Sequence, residues 1–165
     1  MQSVEKARAR ALLFLKFRPR TESELKVRLS KLGYGFETVE QVIAELKQKG
    51  LVDDRKVALY LASQQISSRP SGRRAILEAL KAKGIQIELA EQTVEEASEG
   101  RDDLEVAREL AKKKAASFRG VAPQAAQRRL FGFLSRRGFP PDVVYKVVRE
   151  ISGKGSRQEE SGEIV

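Results

Sequence analysis

The stretch DDRKVALYL at residues 53–61 returns 49 residues later as DDLEVAREL at residues 102–110. In both copies two adjacent carboxylates precede an apolar run with helical spacing: Asp53, Asp54, Val57, Ala58 and Leu61 match Asp102, Asp103, Val106, Ala107 and Leu110. Paired carboxylates suit metal or general-acid chemistry, but a catalytic pair has no reason to recur with a repeat. A helix start does. Asp is among the best N-caps, contributing about 1 kcal/mol, and a second carboxylate in the first turn suits the positive end of the helix. Glu105, at the third helical position, adds capping-box character to the second copy. The pair therefore reads as a helix cap that marks a repeat boundary.

Working outward, glycines punctuate the chain. Gly33, Gly50, Gly84, Gly100, Gly120 and Gly138 each follow a stretch of helical periodicity, where a left-handed residue ends a helix. Thr21 with Glu24 forms a second start signal, the capping box TESE. No segment alternates with period two and no NG or DG turn occurs. The spacing predicts an all-α chain of helices over 4–17, 21–32, 36–49, 53–67, 71–83, 87–98, 102–117, 122–137 and 141–151. Aligned on Gly33, Gly84 and Gly138, these fall into three triplets. Leu25, Ile76 and Leu130 coincide, as do Leu29, Leu80 and Leu134; Tyr34, Ile85 and Phe139; Ile43, Val94 and Val148; and Leu46, Ala97 and Ile151. The connectors FRP, SRP and FRG before each second helix recur as well. Three tandem three-helix repeats are expected, over 1–52, 53–101 and 102–151, stacked into an elongated, curved array. Residues 152–165, rich in Gly, Ser and Glu and without periodicity, are expected to be a disordered tail.

Composition narrows the chemistry. The 165 residues contain no Cys and no His, which removes disulfides, thiolate metal sites and the commonest general base. No apolar run approaches the roughly 20 residues of a membrane span, and MQSVEKARAR lacks the apolar core of a signal peptide. A soluble, cytoplasmic protein without membrane contact is expected, and a monomer. There is no phosphate-binding loop of the G-x-x-x-x-G-K-[ST] kind; GYGFET at 33–38 lacks the third glycine of a dinucleotide fingerprint and reads as a helix end. Glu95, Glu96 and Glu99 read as a solvated acidic face rather than a magnesium site. No cofactor and no enzymatic activity are expected.

The net charge of +9 favours a polyanionic partner. It is unevenly spread: +5 over residues 1–52, zero over 53–101 and +5 over 102–151. Each triplet's second helix is basic, with Lys26, Arg28 and Lys31; Arg73, Arg74, Lys81 and Lys83; and Arg128, Arg129, Arg136 and Arg137. The connectors add Arg18, Arg20, Arg69 and Arg119, and Lys112, Lys113 and Lys114 close the seventh helix. Stacked in register, the second helices would present a basic ridge for phosphates or for an acidic protein; ordinary solvated helix faces are the plainer alternative. Major-groove reading by the third helices is disfavoured. The helix around Glu88–Glu99 is acidic throughout, and Glu37, Glu40 and Glu45 precede the lysines of the first triplet's third helix.

The composite of TESELKVRLSKLGYGFETVEQVIAELKQKGLVDDRKVALYLA at 21–62, SGRRAILEALKAKGI at 71–85 and the segment from KKKAASFRG to LSRRGFPPDVVYKVV at 112–148 resembles the RecX family of bacterial RecA regulators. The resemblance covers residues 4–151. It implies a three-repeat helical protein that binds RecA filaments assembled on single-stranded DNA, lies in the filament groove, lowers ATP hydrolysis and strand exchange, and has no catalytic residues. Fifteen of the cations named above, all but Arg18, Arg20 and Lys83, are the contact residues expected from charge, for single-stranded DNA directly or through RecA. A free-standing nucleic-acid-binding protein and a helical scaffold for an acidic protein are the other readings.

Overall fold

The computed structural model describes residues 3–159, and among them the chain forms nine α-helices and no strand. They are α1 (Val4–Phe17), α2 (Glu22–Lys31), α3 (Phe36–Gln48), α4 (Asp54–Ser67), α5 (Arg73–Ala82), α6 (Ile87–Ala97), α7 (Asp103–Ala115), α8 (Pro123–Arg136) and α9 (Pro141–Glu159), with a 3-10 turn at Ala116–Phe118. The first eight follow the periodicity to within two residues at each end. α9 continues past Ile151, the last apolar position in register, because extending a formed helix fixes only one further residue per added bond. It occupies the start of the segment expected to be a tail; residues 160–165 lie outside the described residues.

The caps act as the sequence implies, with one correction. Asp53 accepts the Lys56 N–H at 3.2 Å and Asp102 the Leu104 N–H at 2.9 Å. Thr21 and Glu24 form the reciprocal box, each side chain accepting the other's backbone N–H at 3.1 Å. Glu105 does not complete such a box. It turns to Arg108, one helical turn on, at 3.4 Å, where a full positive charge outcompetes a backbone donor.

The helices gather into two compact units, Met1–Ser63 with Glu78–Ala97, and Gln64–Leu77 with Ser98–Val165. The chain crosses from one to the other inside α4 and inside α5, and again after α6. In the first unit, α1 and α2 pack on α3. Leu25, Leu29, Val39, Val42, Ile43 and Leu46 form the core there, and each such side chain contributes about 1.5–3 kcal/mol by leaving water. In the second unit α7, α8 and α9 pack on one another around Leu130, Leu134, Phe139, Val144 and Val147. The first helix of each triplet meets its neighbours through two fully buried alanines one turn apart: Ala7 and Ala11, Ala58 and Ala62, Ala107 and Ala111. Small side chains at that spacing let helix backbones approach closely while keeping the interior filled.

A charged latch accompanies each alanine pair. Arg8 grips Glu45 with Nε at 2.7 Å and Nη2 at 3.0 Å. Arg108 grips Glu150 in the same fork at 2.7 and 2.9 Å. In the middle triplet Arg55 meets Glu96 at 2.9 Å. The three glutamates stand at the same distance in sequence from Gly33, Gly84 and Gly138.

The second helices are joined to their successors by a junction that occurs once in each unit. In the first unit the Thr21 hydroxyl, at the start of α2, donates to the Lys83 carbonyl at the end of α5 at 2.6 Å. In the second unit the Gly72 N–H, at the start of α5, donates to the Arg137 carbonyl at the end of α8 at 2.7 Å. The receiving ends close on Gly84 and Gly138, with φ of 76° and 81°. A Cβ on Gly84 would overlap the Ser23 side chain, and one on Gly138 would overlap the backbone N and Cβ of Ala75. These two glycines therefore serve both the left-handed turn and the close approach of another helix. Positive donor end meets negative acceptor end, so the helix dipoles align favourably across each junction.

Candidate nucleic-acid interface

The structure separates the fifteen candidate cations by what they already hold. In the first unit Lys26 lies between Glu22 at 2.9 Å and Glu40 at 2.7 Å, and both carboxylates raise its pKa. Lys81 meets Glu78 at 3.1 Å. Arg28 stacks over the Phe14 ring, 5.3 Å from its centroid, and shares a groove with Lys31, Lys83, Val27 and Leu32. Lys31 has no ion pair among the described residues and is exposed.

In the second unit several of the expected contact residues hold the junction together. Arg137 donates to the Pro70 carbonyl at 2.9 Å and stacks on Phe133 at 5.1 Å; burial and the nearby Arg69 both lower its pKa. Arg74 donates to the Ser135 carbonyl at 3.0 Å. Arg73, half-buried at the start of α5, also has a partner within the fold. Lys114 lies over both Phe118 and Phe133, 5.6 Å from each ring.

What remains is concentrated in the third triplet. Lys112, Lys113, Arg119, Arg128, Arg129 and Arg136 are exposed and form no ion pair among the described residues; Arg69 joins them from the connector before α5. On α8, Arg129 and Arg136 share a face across Gly132, where a Cβ would stand 3.0 Å from the Arg136 Nη1. Unpaired guanidinium groups on a helix face are free to give up hydrating water and counterions to phosphates. In the first unit Glu22 and Glu40 neutralise Lys26 and Glu78 neutralises Lys81, while Glu24 holds Arg18 and Lys83.

Two arginines that turn inward were not among the fifteen candidates for contact. Arg20, 8% exposed, donates from Nε to the Phe14 carbonyl at 3.2 Å and lies over that ring, and burial with Arg18 and Arg28 lowers its pKa. Arg101, whose pKa is lowered by burial, donates to the Ser71 carbonyl beside Asp103. Their partners are backbone carbonyls, one in the last turn of α1 and one just before α5, which carry no residue signature in the sequence. The Arg–Glu latches had one: a glutamate in register in all three triplets.

Among the described residues, no helix is long and apolar enough to cross a membrane, and no group of three or more acidic side chains is placed to hold a metal ion.

Known proteins resemble this chain in sequence and fold. Residues 7–46 match the model of the first three-helix domain of RecX, and residues 101–148 that of the third three-helix domain. The chain is 34% identical to a regulatory protein RecX of Amycolatopsis mediterranei, over 88% of its own length and 83% of the relative's. It is 32% identical to the one of Pelodictyon phaeoclathratiforme, over 91% of each chain. Among solved structures, the crystal structure of RecX from Lactobacillus salivarius superposes with a TM-score of 0.74 at 23% identity, covering 89% of this chain and 95% of that one.

Proposed function

The chain belongs to the RecX family, and from that membership we propose that it binds RecA filaments on single-stranded DNA and lowers their ATPase and strand-exchange activity. The observation that supports a nucleic-acid contact most directly is the set of exposed cations in the third triplet that form no ion pair among the described residues: Lys112, Lys113, Arg119, Arg128, Arg129 and Arg136. Helices whose cations are already matched by carboxylates gain little from a phosphate. These six lose nothing on meeting one.

The test is RecA-driven ATP turnover on single-stranded DNA, titrated with this protein. A fall in turnover at substoichiometric protein is expected, and no change over a wide concentration range overturns the proposal. Arg128→Ala with Arg129→Ala should weaken the effect about tenfold or more, two lost phosphate contacts, while leaving the melting temperature unchanged. Arg73 and Arg74 are unsuitable for this test because they also hold internal partners. The same six cations favour a second reading, a protein that grips single-stranded nucleic acid without RecA. In that case the logarithm of affinity should fall with the logarithm of salt by about 0.7 for each phosphate neutralised. A flat salt dependence removes it.

A further inference from the structure

Tyr145 is 63% exposed on α9, in a triplet whose other aromatic rings are at least partly buried. Its ring rests against Phe131 of α8, with centroids 5.0 Å apart and planes tilted by 58°. Phe131 in turn packs on the core, so the tyrosine is braced from behind and open in front. Tyr145 lines a groove with Gln127, Val148, Arg149, Ser152 and Gly153. A tyrosine kept for packing would turn its area inward, since an exposed ring forgoes most of its hydrophobic stabilisation.

The groove wall has the chemistry of a nucleotide site. Tyr145 offers a flat aromatic face. Arg149, one helical turn later on the same face, is exposed and has no ion pair among the described residues. The Gln127 amide both donates and accepts, as base edges do. Arg128, exposed and without an ion pair among the described residues, follows it on α8. Asp142, one turn before Tyr145, repels phosphate from the N-terminal end of α9 and so sets a direction, with the base at Tyr145 and its phosphate towards Arg149.

We infer that Tyr145 is a base-stacking residue of a single-stranded nucleic-acid site in the groove between α8 and α9, with Arg149 on the phosphate and Gln127 at the base edge. This rests on the proposed nucleic-acid contact of the third triplet and assigns it a residue that charge alone does not find. Stacking is tolerant of base identity, because every base has a π face.

The chain has no Trp, so Tyr145→Trp creates a single tryptophan reporter, read under excitation that the remaining tyrosines do not absorb. Thymidine oligonucleotides should quench its emission, and an abasic oligonucleotide of equal length should not. Tyr145→Ala should weaken binding of the thymidine oligonucleotide about tenfold, with the salt slope unchanged. Tyr145→Phe should bind as the natural protein does, and Arg149→Ala should reduce the salt slope by about 0.7. Equal affinity of Tyr145→Ala and the natural protein for the thymidine oligonucleotide overturns the inference. So does loss of the RecA effect in Tyr145→Ala with oligonucleotide binding intact, which would assign the groove to a protein partner. Should oligonucleotide binding follow this pattern while RecA turnover is untouched, the stacking site stands and the proposed RecA regulation falls.

Discussion

At residue scale, two carboxylates show how neighbours set the sign of an acid response. Glu24 is partly buried, which alone would raise its pKa, but Arg18 at 2.7 Å, the Thr21 N–H and Lys83 hold it down to about 2 from an ordinary value of 4.5. A depressed carboxylate stabilises the fold fully above its unfolded pKa and loses that contribution as pH falls through the folded one. Acid unfolding between about pH 4.5 and pH 2 should therefore flatten in Glu24→Gln, which should also lose about 2 kcal/mol at neutral pH in urea titrations. Asp54 behaves oppositely. Burial raises its pKa even though it accepts the Glu22 N–H at 2.8 Å, so its charged form is held at a cost that is absent below the ordinary value of 3.8 and complete once pH passes the raised one. Asp54→Asn keeps the acceptor without the charge and should be at least as stable as the natural protein at neutral pH. Asp54→Ala should lose about 1 kcal/mol, read from the same denaturant midpoints.

At the scale of elements, glycines that look alike in sequence do different work. Gly50 and Gly138 both end helices with positive φ, 68° and 81°. Nothing lies within 4 Å of a Cβ placed on Gly50, whereas one on Gly138 meets Ala75. Gly50→Ala should therefore cost about 1 kcal/mol for the left-handed backbone alone. Gly138→Ala should cost about 2 kcal/mol more through overpacking. Equal losses in urea midpoints would mean that the close approach to α5 carries no energy. Helix bounds, caps and the buried register were legible because apolar period and N-cap chemistry are local. Leu25, Ile76 and Leu130 are indeed buried at the matched position. The fate of the cations was not legible. Lys26 and Arg128 look alike on a helical wheel, and only the fold brings Glu40 to the first and, among the described residues, no carboxylate to the second. Arg137 likewise reads as a surface charge until Pro70, 67 residues away, supplies a carbonyl. Tyr145 escaped because its neighbour Phe131 lies on another helix.

For the whole molecule, the recurring junction matters more than any single triplet. Its donor side is a helix start, at Thr21 or Gly72; its acceptor side is a glycine-ended helix, at Lys83 or Arg137. The start of α8 differs: Ala122 makes no side-chain cap, and Pro123 in the first turn has no N–H to satisfy. The joint thus has a plug, a socket and a stopper, and it can be read as a grammar for length. A second tandem copy of residues 53–101, placed after the first, brings both the plug at Gly72 and the socket at Gly84. The lengthened chain should fold with added helical signal per molecule and melt no lower than its parent in circular dichroism. A lower melting point would show that the middle triplet is shaped for one position only. Otherwise the number of triplets is a quantity the chain can change by duplication without inventing a new interface, much as a sentence takes another clause.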